Sequence, residues 1–428
     1  METALHSIKL PAFKTFEGDL RVPGSKSISN RALLMAALAR GTTKIRHSLG
    51  SDDTQHMARA LEGLGVELKA EDPETELEIT GEAGPFKAGY GTFFLGNSGT
   101  AMRSLTAALC LGHGEFELLG EQRMYERPIG DLLGALRELG AKIDCERREG
   151  FPPLKIHASG LAGPSVSVRG DISSQYLTAL LLCAPYVKGG LDIKVEGELI
   201  SKPYIELTLS MMRDFGVEVG RDGFSEFKVP SGVYESPGIY EIEGDASSAS
   251  YPLAAAAISG GKVTIRGIGK GSVQGDLRFA EVLEEMGAEV NYGDNWVSCK
   301  GGGLKAVDLN LNNIPDAAMT VAVLALFAKG TSRISGIKSW KVKETDRLAA
   351  LKNELQKTGA IVTTTGDSIE ITPPKKLRPA TIETYNDHRM AMCFSLLSVG
   401  GVPVEILDPA CVGKTYPTYF EDFLRLAK

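Results

Sequence analysis

Six stretches of the chain read as apolar runs that stop at glycine and pass at once into a short alternating strand. They are ALLMAALARG-TTKIRHSL, LTAALCLGHG-EFELLGE, YLTALLLCAPYVKGG-LDIKVEGE, YPLAAAAISGG-KVTIRGIG, MTVAVLALFAKG-TSRISGIK and MAMCFSLLSVGG-VPVEILD. Their marker glycines are Gly41, Gly114, Gly190, Gly261, Gly330 and Gly401, at steps of 73, 76, 71, 69 and 71 residues. A step this constant marks an internal repeat, the periodicity that decides a fold before any other signal.

Each strand leads through a polar loop into a second helix of a different kind. In GDLLGALRELGAKI, Leu132, Leu133, Leu136 and Leu139 fall on one helical face. The same pattern returns as DLRFAEVLEEMGAEV and RLAALKNELQKTGAIV, ending in glycine and an apolar pair that start another strand. Each copy therefore reads helix, strand, helix, strand, strand. The first helix is apolar on nearly all sides and has to be buried, whereas the second needs only one covered face. Helices inside and sheets outside follow from that contrast. The sixth copy stops in its second helix, at YFEDFLRLAK, while the N-terminal HSIKLPAF resembles DSIEITPP, the closing strand of the fifth copy. The predicted organisation is residues 1–22 with 244–428 as one domain and 23–243 as an inserted one, three copies in each. A linear solenoid is the alternative; a last copy completed by the first strand argues for closure instead.

Composition narrows the chemistry. The 428 residues exceed what one core usually serves, and 43% apolar with 24% charged residues is globular. A net charge of −7 argues against nucleic acid or a membrane surface as partner, so any anion has to be gripped by local Lys and Arg clusters. The six cysteines (110, 145, 183, 299, 393, 411) form no Cys-x-x-Cys and no set with nearby histidines. Neither a disulfide framework nor a metal site is expected from them. METALHSIKL has no apolar leader core and no apolar run reaches membrane length, so a cytoplasmic location is expected.

The residues just ahead of the buried helices carry the candidate chemistry: Gly24-Ser25-Lys26-Ser27, Asn97-Ser98-Gly99-Thr100, Asp171 to Gln175, Asp245-Ala246-Ser247-Ser248, Pro315-Asp316-Ala317 and Asn386-Asp387-His388-Arg389. By composition all six are N-caps, which accounts for Ser, Asn and Asp. Capping does not account for Lys26, Arg31 and Arg389, because a cation near a helix N-terminus opposes the macrodipole unless an anion lies between. A helix terminus contributes roughly 0.3–1 kcal/mol to an anion, against roughly 1.5–3 kcal/mol for a charge-assisted hydrogen bond. The basic side chains therefore have to supply most of the grip. More of them recur in the loops before the second helices: Arg123 and Arg127, Lys202, Lys343 and Arg347, and Lys414. Solvation explains any one of these, but not their recurrence at matching positions. The P-loop-like Gly24-Ser25-Lys26-Ser27 lacks the upstream glycine spacing, and GIGKGSVQG reads as a loop. No Gly-x-Ser-x-Gly or His-Glu-x-x-His occurs, and of six histidines only His388 lies in a polar cluster.

The motifs PGSKSISNRAL, FLGNSGTAMR, QRMYERPIGDL, DISSQYLTALL, SKPYIELTL, EGDASSASY, IPDAAMT, WKVKETDRL, YNDHRMAMCFSL and DPACVGKTYP run essentially end to end. Together they closely resemble the 5-enolpyruvylshikimate-3-phosphate (EPSP) synthases, the enolpyruvyl transferases of the shikimate pathway. The resemblance implies a two-domain inside-out α/β barrel of six βαβαββ-type units. It implies transfer of the enolpyruvyl group of phosphoenolpyruvate to the 5-hydroxyl of shikimate 3-phosphate, with release of phosphate. It further implies a cytoplasmic monomer that uses no metal or organic cofactor. By resemblance Asp316 is the base near the hydroxyl, Glu344 exchanges the proton at C3, and Lys26 bridges both substrates. Ser27, Arg31, Ser173, Ser174, Ser201, Tyr204, Ser339 and Lys343, with Lys26 and Asp316, match positions that hold shikimate 3-phosphate. Asn97, Gly99, Thr100, Arg127, Arg347, Asp387, His388, Arg389 and Lys414, again with Lys26, match the phosphoenolpyruvate side, and Gln175 serves both.

Three departures stand out against that family: Ser98 replaces the usual Ala, Ser339 a common Asn, and Ser104 the Pro usual after Ala-Met-Arg. Losing proline's fixed φ loosens the helix start at Gly99 and Thr100, so weaker inhibition by glyphosate, the family's inhibitor, is expected. One rival is the UDP-N-acetylglucosamine enolpyruvyl transferase, which uses a loop cysteine; the corresponding GEQRMYERP has none. Another is a non-catalytic anion binder on the same scaffold, which would gain nothing from Asp316 and Glu344. Copy four, starting Asp245-Ala246-Ser247-Ser248, is expected to be mainly structural.

Overall fold

The structure, a computed structural model, describes residues 6–72 and 75–428, so the first five residues of the expected N-terminal segment lie outside the described part. Every copy contributes two helices. They are α1 (Lys26–Leu38) and α2 (Asp52–Gly63), α3 (Gly99–Cys110) and α4 (Gly130–Glu138), α5 (Ser174–Cys183) and α6 (Pro203–Asp214). Then follow α7 (Ala246–Ser259) and α8 (Phe279–Glu285), α9 (Ala318–Leu324) and α10 (Arg347–Lys357), α11 (His388–Val399) and α12 (Tyr419–Leu426).

The odd helices are buried on all sides, as their uniform apolar content requires; every residue of α9 and α11 is buried. Their hydroxyls are satisfied from within: Thr106 Oγ1 donates to the Met102 carbonyl at 2.6 Å, and the Ser395 and Tyr419 hydroxyls lie 2.7 Å apart. The even helices bury one face. In α4 that face is Leu132, Leu133, Ala135 and Leu136. Each such leucine contributes about 1.5–3 kcal/mol by leaving water.

Five copies build a four-stranded sheet in one order. In copy five Asp308–Asn310 runs parallel to Ser332–Ser335, which pairs antiparallel with Ser368–Thr372, and Ile361–Thr364 follows antiparallel. Copy six has three strands, and Ser7–Leu10 fills the place of the closing one, antiparallel to Val404–Leu407. The strand read from HSIKL thus completes the last copy. Two strands belong to sheets other than their sequence neighbours suggest. Gly18–Arg21 precedes α1 but pairs with Lys262–Arg266 of copy four. Ile239–Glu241 precedes α7 but pairs with Thr42–Arg46 of copy one. The chain changes partners between strand and buried helix, at Gly24 and again near Gly244. A Cβ on Gly24 would collide with the His47 carbonyl, so that crossing admits no side chain.

The chain divides into two compact units, one of Gly24–Ile242 and one of the N-terminal segment to Pro23 with Glu243–Lys428. Each has its own apolar core. In the first, α3 packs on α1 and α5; in the second, α7, α9 and α11 pack on one another. Among the described residues no helix is long and apolar enough to cross a membrane.

Candidate active site

Each unit gathers its site residues at the N-termini of its buried helices, with the loop ahead of the next helix folded against them. In the unit Gly24–Ile242, Arg127 leaves such a loop and donates to both the carbonyl (2.8 Å) and the side-chain oxygen (2.9 Å) of Asn97. Its guanidinium lies so close to Gly99 that a Cβ there would stand 2.5 Å from Nη2, which is why glycine occupies the position. Gln175 on α5 donates to the Thr100 hydroxyl at 3.4 Å, tying copy three to copy two. Arg31 on α1 donates to the Ser27 carbonyl (2.8 Å), Thr208 Oγ1 (2.9 Å) and Thr178 Oγ1 (3.3 Å). Burial lowers its pKa to about 10, with Tyr204 opposing the shift. Lys26 lies 3.6 Å from the buried Asp53 carboxylate. Ser173 caps α5 by accepting from Gln175 N at 3.3 Å, beside the buried Ser174. Ser201 holds φ 54° at the start of the turn into α6, and Tyr204 N donates to its carbonyl.

The other unit holds an interlocked set of charges. Asp316 precedes α9 and accepts from Arg347 Nη1 and Arg389 Nη2, each at 2.8 Å, with Lys343 Nζ 3.5 Å away. Arg347, 1% exposed, also donates to Glu344 and Asp387 at 2.8 Å each. Arg389 continues to the Tyr251 hydroxyl at 3.0 Å. Burial alone would push the Asp316 carboxyl up; Arg389, Lys343 and Arg347 outweigh it, against Glu344, and hold Asp316 well below the usual carboxylate range. Arg347 is raised in turn, its burial outweighed by Asp387, Glu344 and Asp316. Asp387 and His388 are fully buried, so Asp387 meets the cluster through Arg347 and through its cap on Arg389 N. Trp340 Nε1 donates to the Pro315 carbonyl at 2.7 Å and fixes the turn that presents Asp316. Lys414 is buried at the end of the loop before α12.

Capping by composition holds for only part of the set. Ser173, Asp245 and Asp387 cap their helices, whereas Ser25 and Ser98 make no side-chain cap and Asp316 turns to the two arginines instead. The hydroxyls of Ser98 and Ser339, two of the departures, are buried with no hydrogen-bond partner among the described residues. The third departure is engaged: Ser104 Oγ donates to the Thr100 carbonyl at 2.7 Å. Arg123 and Lys202 pair at the surface with Glu126 and Glu198, outside these clusters.

Sequence reasoning missed several members. Asp53 lies in the first turn of α2, behind a Ser51–Thr54 capping box and just after the copy-one loop that corresponds to the cation-bearing loops. Reading those loops for carboxylates as well as cations would have found it. Arg103 donates to the Gly99 and Pro128 carbonyls at 3.3 and 2.8 Å, and lay within the motif already noted. Copy four, expected to be mainly structural, places side chains against the charge cluster. Besides Tyr251 it supplies Asp276, buried, bonded by the Ser247 hydroxyl and pushed up to about 7 by burial and by Asp316. Tyr251 closes the quoted motif EGDASSASY, but as an aromatic inside an alanine-rich helix it reads as a core residue.

Comparison with known proteins adds identity to this geometry. The model of the family described as EPSP synthase (3-phosphoshikimate 1-carboxyvinyltransferase) matches residues 11–423. A 3-phosphoshikimate 1-carboxyvinyltransferase of Shewanella halifaxensis (strain HAW-EB4) is 54% identical over 425 residues, covering 99% of this chain and 100% of its own. One of Klebsiella pneumoniae subsp. pneumoniae is 54% identical, with 99% of each covered. The solved EPSP synthase of Acinetobacter baumannii superposes with a TM-score of 0.81 at 27% identity over 98% of both chains. The enolpyruvyl transferase NikO of Streptomyces tendae shares the fold, with a TM-score of 0.78 at 16% identity over 99% of this chain and 98% of its own.

Proposed function

The chain belongs to the EPSP synthase family, and from that membership we propose how its residues divide the work of a 3-phosphoshikimate 1-carboxyvinyltransferase. The enzyme transfers the enolpyruvyl group of phosphoenolpyruvate to shikimate 3-phosphate and releases phosphate. In the addition, the 5-hydroxyl oxygen bonds to C2 while the double-bond electrons take a proton at C3. In the elimination, phosphate leaves C2 with its electron pair and C3 returns the proton. Asp316 receives the hydroxyl proton, and Glu344 gives and retakes the proton at C3. General acid–base help of this kind contributes roughly 10²–10⁴ each.

The observation that carries the reading is the cluster in which Arg347 joins Asp316, Glu344 and Asp387, with Arg389 on Asp316. An anion binder gains nothing from three carboxylates among its cations. In the free protein Asp316 is a weak base because cations surround it. Phosphate and carboxylate groups that draw Arg389, Arg347 and Lys343 to themselves raise its basicity at the moment it is needed. Shikimate 3-phosphate is held by Lys26, Ser27, Arg31, Ser173, Ser174, Gln175, Ser201, Tyr204, Ser339 and Lys343. Phosphoenolpyruvate is held by Lys26, Asn97, Gly99, Thr100, Arg127, Gln175, Arg347, Arg389 and Lys414, with Asp387 and His388 behind them. A loop cysteine in the manner of the UDP-N-acetylglucosamine enzymes is absent from Gly120–Pro128, and burial pushes the Cys110 thiol up to about 12.

All six cysteines are free thiols, which supports a reducing, cytoplasmic compartment. The Ser104 hydroxyl pulling on the Thr100 carbonyl supports reduced sensitivity to glyphosate, since such back-bonding bends a helix at the turn that holds phosphoenolpyruvate. Ser104→Pro is expected to tighten glyphosate inhibition; an unchanged inhibition constant removes that part. The central test is release of phosphate that requires both substrates. A folded protein that releases none overturns the reading.

A further inference from the structure

The two residues ahead of Asp387, Tyr385 and Asn386, both adopt left-handed backbone, with φ 54° and 53°. Asparagine tolerates that region; a tyrosine is rarely found there. Strain of this kind persists only where the surroundings over-determine it. Here the surroundings converge on Glu354, seven residues along α10 from Arg347 and fully buried. One of its carboxylate oxygens accepts the Glu383 N–H at 3.0 Å and the Lys357 ammonium at 2.6 Å. The other accepts the Tyr385 hydroxyl at 2.9 Å. Lys357 also donates to the Thr381 carbonyl, and Asp387 N closes the turn on the Thr384 carbonyl at 2.9 Å.

Seven residues make about two turns of helix, so Arg347 and Glu354 lie on one face of α10. Both hold the same segment: Arg347 takes Asp387, and Glu354 takes the chain that leads into it. A segment held at Asp387 alone can pivot about that contact. A second hold, on the far side of two left-handed residues, fixes its direction. Burying a carboxylate to tie down a loop is costly when an apolar contact would serve, which points to a requirement for direction rather than for stability.

We propose that Glu354 is a positioning residue for the enolpyruvyl-transfer site, which by holding Glu383 and Tyr385 against α10 sets where Asp387 and Arg389 stand relative to Arg347 and Asp316. The proposal rests on the reading of that cluster as the catalytic one. It gives Glu354 no contact with substrate, and makes α10 the common ruler for Arg347 at its start and for the entry to α11.

The test is steady-state kinetics of the full chain with Tyr385→Phe, Glu354→Gln and Glu354→Ala, beside their melting temperatures. Tyr385→Phe removes one hydroxyl from a side chain that is 37% exposed, so the fold remains. Displacements well below an ångström are enough to cost about tenfold, so KM for phosphoenolpyruvate is expected to rise about 3- to 10-fold in Tyr385→Phe, with KM for shikimate 3-phosphate held within about twofold. Glu354→Gln, which keeps an acceptor for the Glu383 N–H, is expected to be milder than Glu354→Ala. An active parent with Tyr385→Phe and Glu354→Gln unchanged in kcat and both KM values overturns the proposal alone, whatever the melting temperatures do. Equal rises of both KM values also overturn it, because they signify general loosening. An inactive parent overturns the functional reading and the proposal with it. Should the Glu354 variants fail to fold, Tyr385→Phe decides.

Discussion

The two units treat their buried site arginines differently. In Gly24–Ile242, Arg31, Arg103 and Arg127 donate to backbone carbonyls, threonine hydroxyls and an asparagine amide. Neutral acceptors hold a guanidinium in place and leave its charge available to an anion. In the other unit Arg347 and Arg389 meet Asp316, Glu344 and Asp387 at 2.8 Å, and the charges cancel locally. Removing one partner of such a buried network costs about 3–5 kcal/mol, so it is stable only with every member present. The first arrangement suits holding phosphate and carboxylate groups. The second keeps the Asp316 carboxylate ionised in a buried place, as a proton acceptor requires. On the proposed reading, the arginines of the first unit only grip substrate, whereas the cluster of the second both grips it and moves protons.

The sharpest way to break this contrast is Asp316→Asn. It keeps the shape of the side chain but removes the proton acceptor and the competitor for Arg389 and Lys343. The expected result is a kcat lower by roughly 10²–10⁴ with a KM for phosphoenolpyruvate that is unchanged or lower. A raised KM at unchanged kcat would make Asp316 a binding group and erase the distinction. Arg127 tests the opposite side. Arg127→Gln removes charge-assisted hydrogen bonds worth roughly 1.5–3 kcal/mol, so KM for phosphoenolpyruvate should rise about 10- to 100-fold with a smaller effect on kcat. Arg127→Lys keeps the charge but not the fork on Asn97, and is expected to fall between. A kcat loss as large as that of Asp316→Asn would show that the first unit does more than grip.

What could be read in advance follows from how local each feature is. The six copies were legible because a buried helix that ends at glycine leaves a run no polar pattern imitates. Five of the marker glycines do take positive φ; in copy four Gly260, one residue earlier, takes it instead of Gly261. The site was legible where a residue breaks a local rule, as Lys26, Arg31 and Arg389 break the macrodipole rule. It was not legible where a residue obeys one. Asp53 looks like an ordinary first-turn acid of α2, and Tyr251 like an ordinary core aromatic. Glu354 looks like a helix surface position until the chain from Thr381 to Asn386 is laid over it. Their roles come from pairings across the fold, such as the 138 residues between Tyr251 and Arg389. Strand exchange was hidden for the same reason, since Gly18–Arg21 gives no local sign that its partner is Lys262–Arg266.

Copy four offers the finest adjustment of the comparison, through Asp276. Burial, and the ionised Asp316 across from it, push its carboxyl up to about 7, while the Ser247 hydroxyl and Arg389 oppose the rise and Asp245 adds to it. Unfolded, the same group titrates near 4, so between about pH 4 and 7 the native state binds more protons than the unfolded one. Stability that is fully present below pH 4 is then lost as pH rises through the folded value. Asp316 has the opposite sign, since its depressed pKa contributes stability above the unfolded value that is lost only in acid. Asp276→Asn keeps an acceptor for Ser247 and cannot ionise. Its melting temperature should therefore gain on the parent's as pH rises from about 5 to 8, by a few degrees at most. Above pH 7 the parent also adds a fourth carboxylate to a cluster that three cations just balance. Its KM for phosphoenolpyruvate should climb with pH there, and the climb should be shallower in Asp276→Asn. Parallel pH profiles of the two proteins, in melting temperature and in KM, would place Asp276 outside the proton-handling set and return copy four to a purely architectural part.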